Sequence, residues 1–182
     1  YKNAFTVKSN NGKDSLEADS FILTSKDGTK KTFNKWGLLE NIIDKNGNVS
    51  SFVRNGDQRL EEIKSDNGQS LRFAYNAQNL LEKIELYEGE KSAGQSVTYE
   101  YSGKLLSSIT DTDGDTQKFL YNSNNNLSKL LKSDGTFVEF VYGLEDKNGN
   151  LYTTSTINEE GHAEKFDYDR ANKITTEIII CR

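Results

Sequence analysis

From about residue 20 onward the sequence runs in short stretches of alternating apolar and polar residues, separated by clusters of Gly, Asn, Asp and Ser. In the stretch Leu71, Phe73, Tyr75 the large side chains fall at every second position, which puts them on one face of a β-strand while Ser70, Arg72 and Ala74 face the other way. Aligning the chain on a glycine followed five residues later by an aromatic gives seven copies. They are Gly28 with Phe33, Gly47 with Phe52, Gly68 with Phe73, Gly94 with Tyr99, Gly114 with Phe119, Gly135 with Phe140 and Gly161 with Phe166. The glycines stand 19, 21, 26, 20, 21 and 26 residues apart, so a unit of about 20 residues is lengthened twice, through residues 88–93 and 143–150. Five copies add a second ring two residues on, at Tyr75, Tyr101, Tyr121, Tyr142 and Tyr168. Lys35 and Arg54 stand at that offset in the first two copies.

After each such strand the chain passes through polar residues and reaches an apolar pair spaced by three: Leu39 and Ile42, Leu60 and Ile63, Leu81 and Ile84, Leu106 and Ile109, Leu127 and Leu130. Each segment is too short for a helix that would survive, so the spacing predicts a short strand with a bulge at the leucine. The Asn-Gly and Asp-Gly pairs that follow supply the positive φ of tight hairpin turns. The expected fold class is therefore all-β, a series of tandem antiparallel β-hairpins with about fourteen strands and less than about 10% helix. Residues 1–27 form an irregular lead-in containing one strand at Phe21-Ile-Leu, and residues 28–182 form the array of about seven units. A hairpin of this kind is marginal alone and has to bury its side chains against its neighbours.

A hydrophobic share of 34% with 10% aromatics suits a half-solvated sheet whose apolar material is concentrated in rings. The net charge of -5 is spread in both signs along the chain, with no basic stripe, and this argues against a nucleic-acid partner. Cys181 is the single cysteine, so there is no disulfide framework and no cysteine-rich metal site. No stretch approaches the roughly 20 apolar residues of a transmembrane segment.

The repeat, seen most fully in residues 68–84 (GQSLRFAYNAQNLLEKI) and 114–130 (GDTQKFLYNSNNNLSKL), resembles that of the Rhs or YD-repeat proteins. The Tyr-Asp pair is literal at Tyr168-Asp169; Asn76, Asn122, Ser102 and Gly143 replace the Asp elsewhere. The resemblance implies a long antiparallel sheet that twists and spirals, here an open arc of a shell wall. It also implies a secreted or cell-surface polypeptide in which such a wall encloses or displays a C-terminal effector or toxin. The implied partners are the neighbouring repeats and that effector domain of the same polypeptide. No catalytic role and no cofactor is implied for this chain, which looks like the front portion of such an array.

The candidate structural residues are the repeat aromatics Phe73, Tyr75, Tyr99, Tyr101, Phe119, Tyr121, Phe140, Tyr142, Phe166 and Tyr168, and the turn glycines Gly28, Gly47, Gly68, Gly94, Gly114, Gly135 and Gly161. The rings are read as a packing face, on which truncating Phe119 to Ala would cost on the order of 3 kcal/mol. The alternative is an extracellular binding module, in which the ring face or the two lengthened loops contact a glycan or a cell-surface protein. His162, the single histidine, falls in a turn beside Glu159 and Glu160, with no nucleophile motif near it. Asp111, Asp113 and Asp115 form a candidate calcium loop, but one lacking the closing glutamate, and the competing reading gives these residues to turn geometry. Asn48-Val-Ser and Asn126-Leu-Ser are glycosylation sequons that matter only in a eukaryotic secretory host.

Overall fold

The computed structural model describes residues 4–8, 20–145, 151–169 and 174–180. The chain is all-β: among the described residues there are sixteen strands and no helix. It divides into two compact units, Tyr1–Ser96 and Val97–Arg182. The first holds β1 (Ala4–Lys8), β2 (Ser20–Thr24), β3 (Lys30–Asn34), β4 (Leu39–Ile43), β5 (Val49–Arg54), β6 (Leu60–Ser65), β7 (Gln69–Tyr75) and β8 (Leu81–Glu88). Strand β9 (Lys91–Ser102) begins there and ends in the second unit. The second continues with β10 (Leu105–Thr110), β11 (Thr116–Tyr121), β12 (Leu127–Leu131), β13 (Phe137–Glu145), β14 (Leu151–Asn158), β15 (Ala163–Asp169) and β16 (Ile174–Ile180). Within each unit the strands are hydrogen-bonded to their chain neighbours in sequence order, and every pair whose register is defined is antiparallel. Strand β2 carries Phe21-Ile-Leu as expected, and β1 precedes it without any pattern that had announced it.

The spacing-of-three pairs are explained by register. Phe73 faces Ile84 and Ala74 faces Lys83, but Tyr75 faces Leu81, so Glu82 is an extra residue on β8. The same slip occurs at Arg54 and Leu60, and at Tyr121 and Leu127. A strand alternates faces, so two residues three apart would ordinarily point to opposite sides. The bulge inserts one residue and returns Leu81 and Ile84 to the side of Tyr75 and Phe73. One register position is corrected. In the first hairpin it is Phe33 that faces Leu39 at the slip, so Phe33, not Lys35, holds the place taken by tyrosine in later repeats.

Both ends of the hairpins use one turn. In residues 25–29, 34–38, 44–48, 55–59, 76–80, 111–115, 122–126, 132–136 and 158–162 the fourth N–H donates to the first carbonyl, and the first N–H donates to the fifth carbonyl. The fourth residue has positive φ in all of them, from 61° at Asn125 to 92° at Gly47. Glycine fills that place at Gly28, Gly37, Gly47, Gly114, Gly135 and Gly161, while Gln58, Asn79 and Asn125 fill it in loops that read as merely polar. Gly68 also has positive φ, with its N–H on the Ser65 carbonyl. Gly94 departs from the expectation: it lies inside β9, and the turn before it is at Gly89 and Glu90.

Among the described residues no apolar side chain is buried, and the only buried ones are Ser70 and Ser108. The described apolar side chains are thus either half-buried against neighbouring strands or exposed, as Val53, Leu71, Leu120 and Val141 are.

Candidate functional site

Each repeat aromatic lies opposite a residue of its hairpin's second strand. Phe73 and Tyr75 share a face with their partners Ile84 and Leu81; Tyr99 and Tyr101 share one with Ile109 and Leu106; Phe119 and Tyr121 share one with Leu130 and Leu127. In the last two hairpins the partners are polar: Thr156 and Thr153 face Phe140 and Tyr142, and Glu177 and Thr175 face Phe166 and Tyr168. All ten rings are half-buried.

The tyrosine hydroxyls have a role that spacing alone did not reveal. Tyr75 Oη donates to the Leu60 carbonyl at 2.8 Å, Tyr142 Oη to the Leu127 carbonyl at 2.7 Å, and Tyr168 Oη to the Thr153 carbonyl at 2.7 Å. Leu60, Leu127 and Thr153 are the residues at the register slip of the preceding hairpin, facing Arg54, Tyr121 and Tyr142. A bulge disrupts the ladder locally, and the next hairpin's hydroxyl supplies a donor there. The bulged residues help: Ser128 Oγ donates to the Leu120 carbonyl and Thr154 Oγ1 to the Val141 carbonyl. All three bonds span 15 residues, from a tyrosine back to the residue at the preceding slip.

The opposite face is tied by cross-strand polar pairs. Arg72 bonds Glu62 at 3.1 Å and Glu90 at 2.7 Å, with its guanidinium 4.0 Å from the Tyr87 ring centroid. Those acceptors, Glu90 foremost, hold the guanidinium pKa above its ordinary value. Lys129 bonds Glu139 at 3.0 Å and lies 3.5 Å from the Phe137 centroid. Opposite charges set directly across two strands, as Arg72 and Glu62 or Lys129 and Glu139 are, favour this register over one that would oppose like charges.

The Asp111 loop is one instance of the repeated turn. Asp111 Oδ1 accepts from the N–H groups of Asp113 and Asp115 at 2.9 and 3.0 Å. Asn34, Asn55, Asn76, Asn122 and Asn158 make the same pair of bonds through an amide oxygen, as does Asp44 through a carboxylate. Asparagine serves equally at this place, so the position asks for an oxygen acceptor and not for a charge. Where the first residue is Ser25 or Lys132, the third residue takes over: Asp27 accepts from the N–H and hydroxyl of Thr29, and Asp134 from those of Thr136. These bonds hold both carboxyls below the usual carboxylate range. Among the described residues no group of three His, Cys, Asp or Glu is arranged to hold a metal ion. His162 closes the last of these turns, its N–H on Asn158 Oδ1 and its Nδ1 3.1 Å from Glu160. Cys181 lies outside the described residues.

No curated protein sequence matches the chain. Among solved structures it is similar to the Photorhabdus luminescens Tc holotoxin pore, at 14% identity and TM-score 0.50 over 97% of this chain and 12% of that one. It is similar also to the complex TcdB2-TccC3-Cdc42, at 15% identity and TM-score 0.50 over 97% of this chain and 12% of that one. The chain therefore spans about an eighth of the length of those polypeptides, and the likeness is one of fold. The model of the Teneurin YD-shell family matches residues 20–179. With that match over nearly the whole array, and with tyrosine and bulge recurring hairpin after hairpin, the chain belongs to the Teneurin YD-shell family and is a structural YD-repeat segment.

Proposed function

We propose that this chain is a stretch of wall in a larger secreted or cell-surface polypeptide, where it helps to enclose or display an effector domain of the same polypeptide. The observation that carries the reading is the absence of any buried apolar side chain among the described residues, combined with hydroxyl bonds from one hairpin to the bulge of the one before. Such a sheet is stabilised along its length and leaves both faces free, as a wall requires and a catalytic pocket does not. The partners are then the neighbouring repeats and whatever the wall encloses. Glycan or protein contact by the ring face itself is less favoured, because the rings are half-buried and three of the tyrosine hydroxyls are bonded to the backbone.

The test uses the full polypeptide from which the segment comes. Limited proteolysis of the intact protein should leave the segments beyond the repeats uncut, and Phe119→Asp together with Tyr142→Ala should open them to cleavage. Cell fractionation should recover the polypeptide outside the cytoplasm. Equal cleavage in intact and substituted protein, or retention in the cytoplasm, would contradict the proposal.

A further inference from the structure

Trp36 breaks the rule that every comparable turn obeys. In the nine turns that share both backbone bonds, the third residue is Asp27, Asn46, Asp57, Gln78, Asp113, Asn124, Asp134 or Glu160, and only in residues 34–38 is it tryptophan. The turn needs nothing from the indole, since the Trp36 N–H already donates to Asn34 Oδ1 at 3.0 Å. Yet the chain's single tryptophan is 61% exposed at a hairpin tip, so most of its apolar area gains nothing from folding. Lys35 sets its ammonium 4.6 Å from the ring centroid. A local rule broken for no more structural gain than one exposed cation–π contact marks a place where function is the gain.

We propose that Trp36 is the stacking platform of a carbohydrate-binding site on the rim formed by the loops joining β3 to β4, β5 to β6 and β7 to β8. Adjacent loops on this rim are two strands apart, about 10 Å. At the position of Trp36 the next two carry Asp57 and Gln78, both exposed, and the positions before these are Gly56 and Ala77. Arg59 is held against the Tyr75 ring, 5.0 Å from its centroid, and donates to Asn79 at 2.7 Å, which fixes the polar floor of the rim. A saccharide ring presents polarised C–H groups to the negative face of an indole and hydroxyls to its surroundings. Lys35 offers the stacked ring a donor, while Asp57 and Gln78, about 10 and 20 Å further along the rim, offer later residues of an oligosaccharide an acceptor and a group that is both. A protein hot spot would instead place the tryptophan at the centre of a packed, water-excluding contact, and the neighbouring tips here are small or polar. This site is independent of the wall reading and stands or falls separately from it.

Because Trp36 is the only tryptophan, its fluorescence reports on its own surroundings. The chain is applied to an oligosaccharide array, and retained sugars are titrated against its fluorescence. A subset of sugars should be retained and should shift the emission saturably. Trp36→Asp, which installs the residue type of the other turns, should weaken binding at least tenfold while leaving the melting temperature unchanged. Trp36→Tyr should keep binding within a few-fold. Retention of no sugar, equal binding by Trp36→Asp, or Trp36-dependent capture of a protein that free sugar does not displace would each overturn the proposal.

Discussion

Tyr142 and Leu127 are 15 residues apart in sequence and joined by one hydrogen bond, from the tyrosine hydroxyl to the leucine carbonyl at 2.7 Å. Leu127 is where β12 slips register against Tyr121, so the bond reaches from one hairpin into the irregular point of the hairpin before it. Removing only the hydroxyl with Tyr142→Phe deprives a half-buried carbonyl of its donor and should cost about 1 kcal/mol. Urea unfolding should show a lowered midpoint with an unchanged slope.

Phe119 faces Leu130 across β11 and β12, and its ring is half-buried where a packing face had suggested full burial. Phe119→Ala should therefore cost about 1–2 kcal/mol, below the 3–5 kcal/mol of a sealed core. A double-mutant cycle with Leu130→Ala should return a coupling of roughly 0.5–1 kcal/mol.

The Asp111 carboxylate does the work of an amide oxygen, because asparagine makes the same two bonds in five other turns. Asp111→Asn should then leave stability within about 0.5 kcal/mol, whereas Asp111→Ala removes the acceptor and should cost about 1 kcal/mol. Millimolar calcium should not move the melting temperature; a chelator-reversible rise lost in Asp111→Asn would assign the loop to metal instead.

Gly114 and Gln58 occupy the same left-handed position of the shared turn, at φ 88° and 63°. Gly114→Ala should cost about 1–2 kcal/mol, since the penalty is backbone strain and nothing lies within 4 Å of the added carbon. Gln58→Gly relieves that strain but gives the unfolded chain more freedom, which leaves a net gain of about 0.5 kcal/mol. Thermal unfolding of the two variants should move in opposite directions.

Hairpins, faces and most turn glycines were legible in the sequence because each is a local periodicity: two residues for a strand face, about 20 for the repeat. The bulge was visible as the misfit spacing between Leu81 and Ile84. What stayed hidden depends on the partner strand. Phe33 takes the tyrosine place only because its hairpin starts two residues nearer the turn, a fact fixed by pairing with Leu39. Gly94 matched the glycine-to-ring spacing while sitting in mid-strand, because the lengthened β8 carried the turn back to Gly89. The Tyr142 hydroxyl bond could not be read from composition, since it depends on where a bulge leaves a carbonyl open.

The central claim is that each hairpin is stabilised by the one beside it, as a structural wall requires, and amide hydrogen exchange on Tyr142→Phe tests it most directly. The substitution lies on β13, while the carbonyl it abandons belongs to β12. The account predicts faster exchange in β12 and in its partner β11 as well as in β13, because protection is shared between neighbouring hairpins. Loss of protection confined to β13 and β14, with β11 and β12 unchanged, would contradict it.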